Sequence, residues 1–213
     1  MDNKLLLCGA GGHCRSVIDS IDRDKYSDII ILDLLKMIGK DICSIPVSGT
    51  DADIEKFFEM GYRQAFIAIG SIGFPKKRID LYKKLKKTGF QFPVIIDSTA
   101  IVSKTNVTID DGVYIGKGVI INTGVHLGSF SIINTGAIID HDCEIGNFVH
   151  IGPGVRMSGE VHVHDNTHVG IGSSLKQTIK IGKNSIIGAG SVVISDIAES
   201  VTAFGIPCKE RLL

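Results

Sequence analysis

The chain has 213 residues, 44% hydrophobic and 22% charged, and its 23 basic residues balance its 23 acidic ones. That composition is globular and large enough for one big or two small domains. A neutral balance with no basic tract and no aromatic stacking series excludes nucleic acid as the expected partner. No apolar run reaches the roughly 18 residues of a membrane span, and the start lacks a secretory pattern. Cys8, Cys14, Cys43, Cys143 and Cys208 are scattered, odd in number and without metal spacing. A cytoplasmic protein with no bound metal and no membrane insertion is expected.

The first hundred residues alternate short apolar runs with helical spacing. Residues 4–8 are apolar and lead into Gly9-Ala10-Gly11-Gly12; residues 13–21 have helical spacing through Val17, Ile18 and Ile21. Residues 29–32 form a buried-strand run ending at Asp33, and residues 51–60 read as a helix with Ile54, Phe57 and Phe58 on one face. Residues 65–69 are another strand, ending at Gly70. Residues 76–87 are an amphipathic helix with Ile79, Tyr82 and Leu85 inward, and residues 93–96 close the set. Strand–helix alternation predicts a small parallel, Rossmann-like α/β domain over residues 1–97.

The glycine turn after the first strand is a phosphate-binding candidate, because bare backbone and a helix N-terminus both favour an anion. The dinucleotide fingerprint needs a third glycine, and Cys14 stands in its place, which argues against a nicotinamide cofactor. The alternative is that the glycines only permit a tight turn. Asp33 is placed to accept hydrogen bonds from a ribose or a base.

From residue 109 to 197 the pattern changes. Every sixth residue, from Ile109, Ile115 and Ile121 to Val193, is aliphatic, and the residue four later, from Val113 to Ile197, is mostly small or β-branched. A fixed period of six fits neither a helix nor an extended strand. It predicts a solenoid of short strands and tight turns, with Gly, Asn and Asp supplying positive φ at the turns. A β-sandwich would not hold one register for so long. The repeat resembles the left-handed parallel β-helix of the hexapeptide-repeat acyltransferases. That resemblance implies the left hand, eighteen residues per coil, an all-β domain over residues 98–213, a homotrimer, and acyl-CoA bound between neighbouring prisms.

Used as a coordinate system, the register locates chemistry. Ile139 and Cys143 point inward, which leaves His141 and Asp142 at an exposed turn and makes Cys143 an unlikely nucleophile. A neutral imidazole can take a proton from an amine or hydroxyl, and a neighbouring carboxylate can fix its tautomer. Eighteen residues on is Gly159, a small residue that would leave room for a substrate. His150 and His168 should stack at one corner. Gly152, Gly170 and Gly188 form a bare ridge, suited to a flat pantetheine arm or needed simply for turn geometry. His126, Glu144 and His162 form a further column, with His164 near by; a solvated or trimer-facing surface is favoured over a metal site.

The run from Asn134 to Gly146, followed by Phe148-Val149-His150-Ile151-Gly152-Pro153-Gly154, resembles the sialic acid O-acetyltransferase-like family. That family includes N-acetyltransferases acting on UDP-4-amino sugars in the bacillosamine pathway. The resemblance implies His141 as general base assisted by Asp142, and His150, Gly170, Ile171, Gly188 and Ala189 along acetyl-CoA. It implies Gly11, Gly12, His13, Asp33 and Gly70 around a nucleotide-linked amino sugar. Cys14 and Leu34 depart from the family pattern. Residues 204–209, Phe-Gly-Ile-Pro-Cys-Lys, resemble the Gly-x-Pro-Ala-Lys ending of these enzymes, with Cys208 for alanine, which implies Lys209 at the CoA phosphates. The implied activity is direct acetyl transfer from acetyl-CoA to the amine of a UDP-4-amino-4,6-dideoxy sugar type of substrate, in bacterial glycan biosynthesis. Sugar O-acetylation and a non-catalytic sugar-nucleotide scaffold are the alternatives.

Overall fold

The computed structural model describes residues 3–211. By contact, the chain divides into two compact units: residues 1–70 with 76–95, and residues 71–75 with 96–213.

The first unit is a five-stranded sheet carrying three helices. Its strands β1 (Lys4–Cys8), β2 (Asp28–Leu32), β3 (Asp41–Ile42), β4 (Ile45–Gly49) and β5 (Gln64–Ile67) lie in the order β3-β4-β2-β1-β5. β1 pairs in parallel with β2 and β5, so the ends of all three face one edge. Helix α1 (Gly12–Ser20) buries Cys14, Val17 and Ile18; Val17 and Ile18 follow its spacing, while Ile21, expected on the same face, is the C-cap and only half-buried. The expected helix over residues 51–60 divides into a 3-10 turn, Asp51–Asp53, and α2 (Ile54–Glu59). The turn starts on a capping box in which Thr50 and Asp53 satisfy each other's backbone N–H groups.

Two features depart from expectation. The β3–β4 hairpin turns at Cys43 and Ser44, both at positive φ, without the Asn-Gly pair that marks such turns. Helix α3 (Lys76–Thr88) buries Arg78, Leu81 and Leu85, while Ile79 and Tyr82 are only half-buried. The long stem of Arg78 takes an apolar position, and burial pulls its pKa down to about 10.

The second unit is a parallel β-helix of two-residue strands, with each strand pairing to the one three strands later. Face A carries Ile101–Val102, Ile120–Ile121, Ile138–Ile139, Arg156–Met157, Ser174–Leu175 and Val192–Val193. Face B carries Thr108–Ile109, His126–Leu127, Glu144–Ile145, His162–Val163 and Lys180–Ile181. Face C runs from Tyr114–Ile115 through Ile132–Ile133, His150–Ile151 and His168–Val169 to Ile186–Ile187. It ends in an antiparallel hairpin, Thr202–Gly205 with Cys208–Arg211. The strand Ile95–Ile96, expected to close the α/β sheet, belongs to the sheet of face C.

The inward columns are those the register predicts: Ile115, Ile133, Ile139, Ile151, Val113, Ala137, Cys143 and Val155 are fully buried. Where the small inward residue is polar, it is satisfied by a carbonyl of the next coil, as in Thr167 Oγ1 to Gly182 O at 2.9 Å and Ser185 Oγ to Ala198 O at 2.8 Å. Ser191 Oγ instead meets Gly188 O of its own coil at 2.7 Å, and Ser131 Oγ is the exception, buried with no hydrogen-bond partner among the described residues.

Positive φ falls three residues after each aliphatic, at Gly124 (73°), Asp142 (57°), Glu160 (59°) and Thr178 (64°), for example. The glycine directly after the aliphatic has a different cause. A Cβ on Gly170 would lie 2.6 Å from Ala189 N and 2.7 Å from Gly188 C in the next coil. That position is kept bare by the approach of backbone to backbone.

Candidate active site

In the first unit, the predicted ligand residues converge at the ends of β1, β2 and β5. Gly11 caps α1 with no side-chain bond, and the first turn of the helix holds no acid. Gly11 and Gly12 are exposed, and a Cβ on either would meet nothing within 4 Å. The half-buried His13 packs against Gly70, whose added Cβ would lie 3.5 Å from the Cβ of His13. A helix N-terminus of that kind favours an anion.

Asp33, half-buried just past the end of β2, already accepts two backbone N–H groups. One carboxylate oxygen accepts the N–H of Ala10 and the other that of Leu34 at 2.6 Å. Its first role is to brace the glycine turn against the end of β2.

In the second unit, His141 and Asp142 occupy the turn between faces A and B, both exposed. His141 Nδ1 is 2.9 Å from Asp142 Oδ2. That bond is the main cause that raises the His141 pKa above its usual value, with Asp140 and Glu160 adding charge. With Nδ1–H committed to the carboxylate, Nε2 is the basic nitrogen. Asp140 anchors the turn: its Oδ1 accepts the His141 N–H at 2.8 Å and the Asn122 side chain at 2.8 Å. Those two bonds hold its carboxyl below the usual range.

The neighbouring coils shape the pair. The His141 ring lies against Gly159, which any Cβ would obstruct, so the space expected for substrate above this glycine is filled by the imidazole itself. Asp142 lies over Gly124 in the coil before. The N–H of Gly159 donates no backbone hydrogen bond among the described residues. Cys143 is fully buried, and burial pushes its thiol up to about 11, which is unsuited to nucleophilic attack.

His150 and His168 pair on the flat of face C, not at a corner, with rings edge to face and centroids 4.9 Å apart. His150 Nδ1 lies 2.7 Å from the Ser71 carbonyl, and its Nε2 lies 3.3 Å from Asn134 Nδ2. The Asn134 amide is oriented because its Oδ1 accepts the Thr135 N–H at 2.8 Å. The Ser71 carbonyl can only accept, so Nδ1 is the nitrogen that donates to it. Burial lowers the His168 pKa. Sequence reasoning passed over Asn134, inside its own motif, and Ser71, seventy-nine residues from His150.

Gly152, Gly170 and Gly188 run along the same face, two residues after the strand starts. Gly170 and Gly188 use their N–H groups in the ladder, at 2.8 Å to Ile187 O and 2.8 Å to Ala203 O. Ile171 and Ala189, at the exposed turns that follow, donate no hydrogen bond among the described residues. Lys209 is exposed on the terminal hairpin, opposite Phe204. On face B, His162 Nδ1 meets Glu144 Oε2 at 2.9 Å and His126 Nε2 meets Asp110 Oδ2 at 3.3 Å. No group of His, Cys, Asp and Glu among the described residues is arranged to hold a metal.

His141 and the face C residues are not brought together within one chain. In a three-faced coil, the corner between faces A and B lies opposite face C.

Residues 4–85 match the family model described as the PglD N-terminal domain, and residues 160–195 match the bacterial transferase hexapeptide model (six repeats). No curated protein matches the chain. Among solved structures, PerB from Caulobacter crescentus, in complex with CoA and GDP-perosamine, is similar at 33% identity and a TM-score of 0.89, over 98% of this chain and 97% of that one. The acetyltransferase domain of PglB from Neisseria gonorrhoeae, in complex with acetyl coenzyme A, is similar at 29% identity and a TM-score of 0.90, over 99% of this chain and 100% of that one. WeeI from Acinetobacter baumannii shares the fold at 24% identity and a TM-score of 0.87, over 97% of this chain and 99% of that one.

Proposed function

The chain belongs to the hexapeptide-repeat acyltransferases, and from that premise we propose that it moves the acetyl group of acetyl-CoA to the amine of a nucleotide-linked amino sugar. The observation that carries this reading is the His141–Asp142 pair, joined at 2.9 Å on an exposed corner with Nε2 left free. PerB with CoA and GDP-perosamine, and the PglB domain with acetyl coenzyme A, support the two substrate classes.

The amine attacks the thioester carbon while His141 Nε2 takes its proton. Asp142 holds the imidazole in the correct tautomer and stabilises its charged form. The Gly159 N–H, next to the ring, is the candidate donor to the oxyanion. The C–S bond then breaks, and the proton passes to the departing thiolate. No covalent enzyme intermediate is needed.

Acetyl-CoA is assigned to face C. Gly170 and Gly188 give it a bare ridge, Ile171 and Ala189 offer unused N–H groups, and Lys209 meets the phosphates. His150, held on both nitrogens, lies beside the pantetheine arm. Gly11, Gly12, His13, Asp33 and Gly70 hold the nucleotide part. A UDP-4-amino-4,6-dideoxy sugar is the acceptor we propose, as a step in bacterial glycan biosynthesis in the cytoplasm.

Because His141 lies opposite face C, a complete site needs His141 from one copy and face C from another. The outward side of face A supports that assembly with an exposed apolar residue, Ile101 at 64%. A homotrimer satisfies both requirements, since closed symmetry covers every copy's face.

The test is thiol release from acetyl-CoA in the presence of UDP- and GDP-linked amino sugars, with sialic acid as the hydroxyl-bearing comparison. Release with an amino sugar, lost in His141→Ala while the far-UV circular dichroism is unchanged, is the expected result. Full activity in His141→Ala would remove the assigned base, and no release with any amino sugar would remove the activity.

A further inference from the structure

One coil beyond the His141–Asp142 pair, on the same corner, stands Glu160. Its backbone N–H donates to the His141 carbonyl at 2.9 Å, and its φ of 59° is the turn conformation that Asp142 adopts one coil earlier. The residue before it, Gly159, lies against the His141 ring. Imidazole and Glu160 carboxylate therefore share one patch of surface. Asp142 is committed to His141 Nδ1, and Asp140 to the turn backbone and Asn122. Glu160 is exposed, and its carboxylate makes no hydrogen bond or ion pair among the described residues. The corner of the preceding coil, Asn122-Thr123-Gly124, is uncharged. Along the column the first cation is Lys176, a coil further on, while Arg156 belongs to the flat of face A.

We propose that Glu160 receives the acceptor's ammonium group and so makes the site selective for a primary amine over a hydroxyl. The proposal rests on the acetyl-transfer reading above and names the acceptor chemistry of that same corner. An alkyl amine is largely protonated near neutral pH, since an unperturbed ammonium such as that of lysine loses its proton only near pH 10. An ammonium has no lone pair, so it must be bound first and deprotonated second. The carboxylate of Glu160 accepts hydrogen bonds from the bound ammonium, a charge-assisted contact that a neutral hydroxyl matches only weakly. One proton leaves the ammonium for solvent at this open corner. The amine nitrogen then forms the C–N bond as His141 Nε2 takes its second proton. The C–S bond breaks with its electron pair on sulfur, and that proton ends on the thiol. The balance is ammonium plus thioester giving amide, thiol and one proton to solvent. A hydroxyl acceptor would release none.

The test is steady-state kinetics of wild type, Glu160→Gln and Glu160→Asp with acetyl-CoA and the amino-sugar nucleotide that supports thiol release, at several pH values. Glu160→Gln should raise the acceptor KM by roughly three- to tenfold at neutral pH, the scale of an exposed charge-assisted contact. The effect should fall on acceptor KM, leave the KM for acetyl-CoA in place, and fade as pH rises and the acceptor becomes a free amine. Glu160→Asp should recover part of the loss. An unchanged acceptor KM in Glu160→Gln, or a rise that is the same at every pH, overturns the proposal and leaves the acetyl-transfer reading standing. Wild type that releases no thiol with any amino sugar overturns that reading first, so the two failures are distinguishable.

Discussion

The glycine ridge on face C admits two explanations, a path for a ligand or a demand of the fold, and Gly170→Ala separates them. A Cβ at Gly170 would sit 2.6 Å from Ala189 N, 2.7 Å from Gly188 C and 2.7 Å from Ile187 O. All three are backbone atoms of the next coil, so no side chain can swing away. Restoring ordinary contact requires the coils to part locally by about 0.8 Å. The same movement strains the Gly170 N–H to Ile187 O bond, now 2.8 Å. Overpacking of this kind costs about 1–3 kcal/mol, and a weakened ladder bond about 1 more. For a chain of this size the loss lowers Tm by roughly 4–15 °C. The control is Gly172→Asn, where a Cβ would meet nothing within 4 Å and the φ of 67° matches that of Asn166 and Asn184 at equivalent turns. That variant should melt with wild type. The assay is thermal unfolding followed by circular dichroism with no ligand present. If Gly170→Ala also melts with wild type but binds acetyl-CoA poorly, coil packing does not explain the glycine and the ridge is kept bare for the ligand.

Two further outcomes follow from the corner geometry. Asp142→Asn removes the bond that raises the His141 pKa; the folded-state pKa then falls, so the acidic limb of kcat/KM should move to lower pH while the plateau drops with the weaker, less oriented base, and an acidic limb that stays in place would show that this limb does not report His141. His141→Ala and His150→Ala should each lose activity alone, yet regain part of it when refolded together, because about a quarter of the sites in randomly mixed trimers combine both wild-type halves; no recovery on mixing would place the whole site in one chain.

The repeat made much of the second unit legible because a period of six is a coordinate. It put Ile139 and Cys143 inside and left His141 and Asp142 outside, and the structure buries and exposes them accordingly. It could not say why each glycine is present, because two causes share one letter. Gly124 is at a positive φ of 73°, whereas Gly170 answers to the backbone of the next coil, a contact eighteen or more residues away. The hairpin at Cys43 and Ser44 was invisible for the opposite reason: its φ values are those of glycine-rich turns, but its residues are not.

The same logic bears on the histidines. His141 announces itself through its immediate neighbour Asp142, so two adjacent letters suffice. His150 is defined by Asn134, one coil back, and by the Ser71 carbonyl. The first partner is recoverable by stepping back sixteen residues within the register. The second comes from residues 71–75, which lie between β5 and α3 in sequence yet pack with the β-helix. An imidazole held on both nitrogens has neither free to take a proton from the acceptor, and this division of labour fits the transfer we propose. The basic nitrogen belongs at the corner where the acceptor arrives, and the face assigned to the donor is best lined by groups whose protonation does not change. His141 has a carboxylate-backed ring with Nε2 free, in an exposed position beside Glu160, whereas His150 is held on both nitrogens, and that asymmetry between two histidines nine residues apart favours His141 as the base we propose.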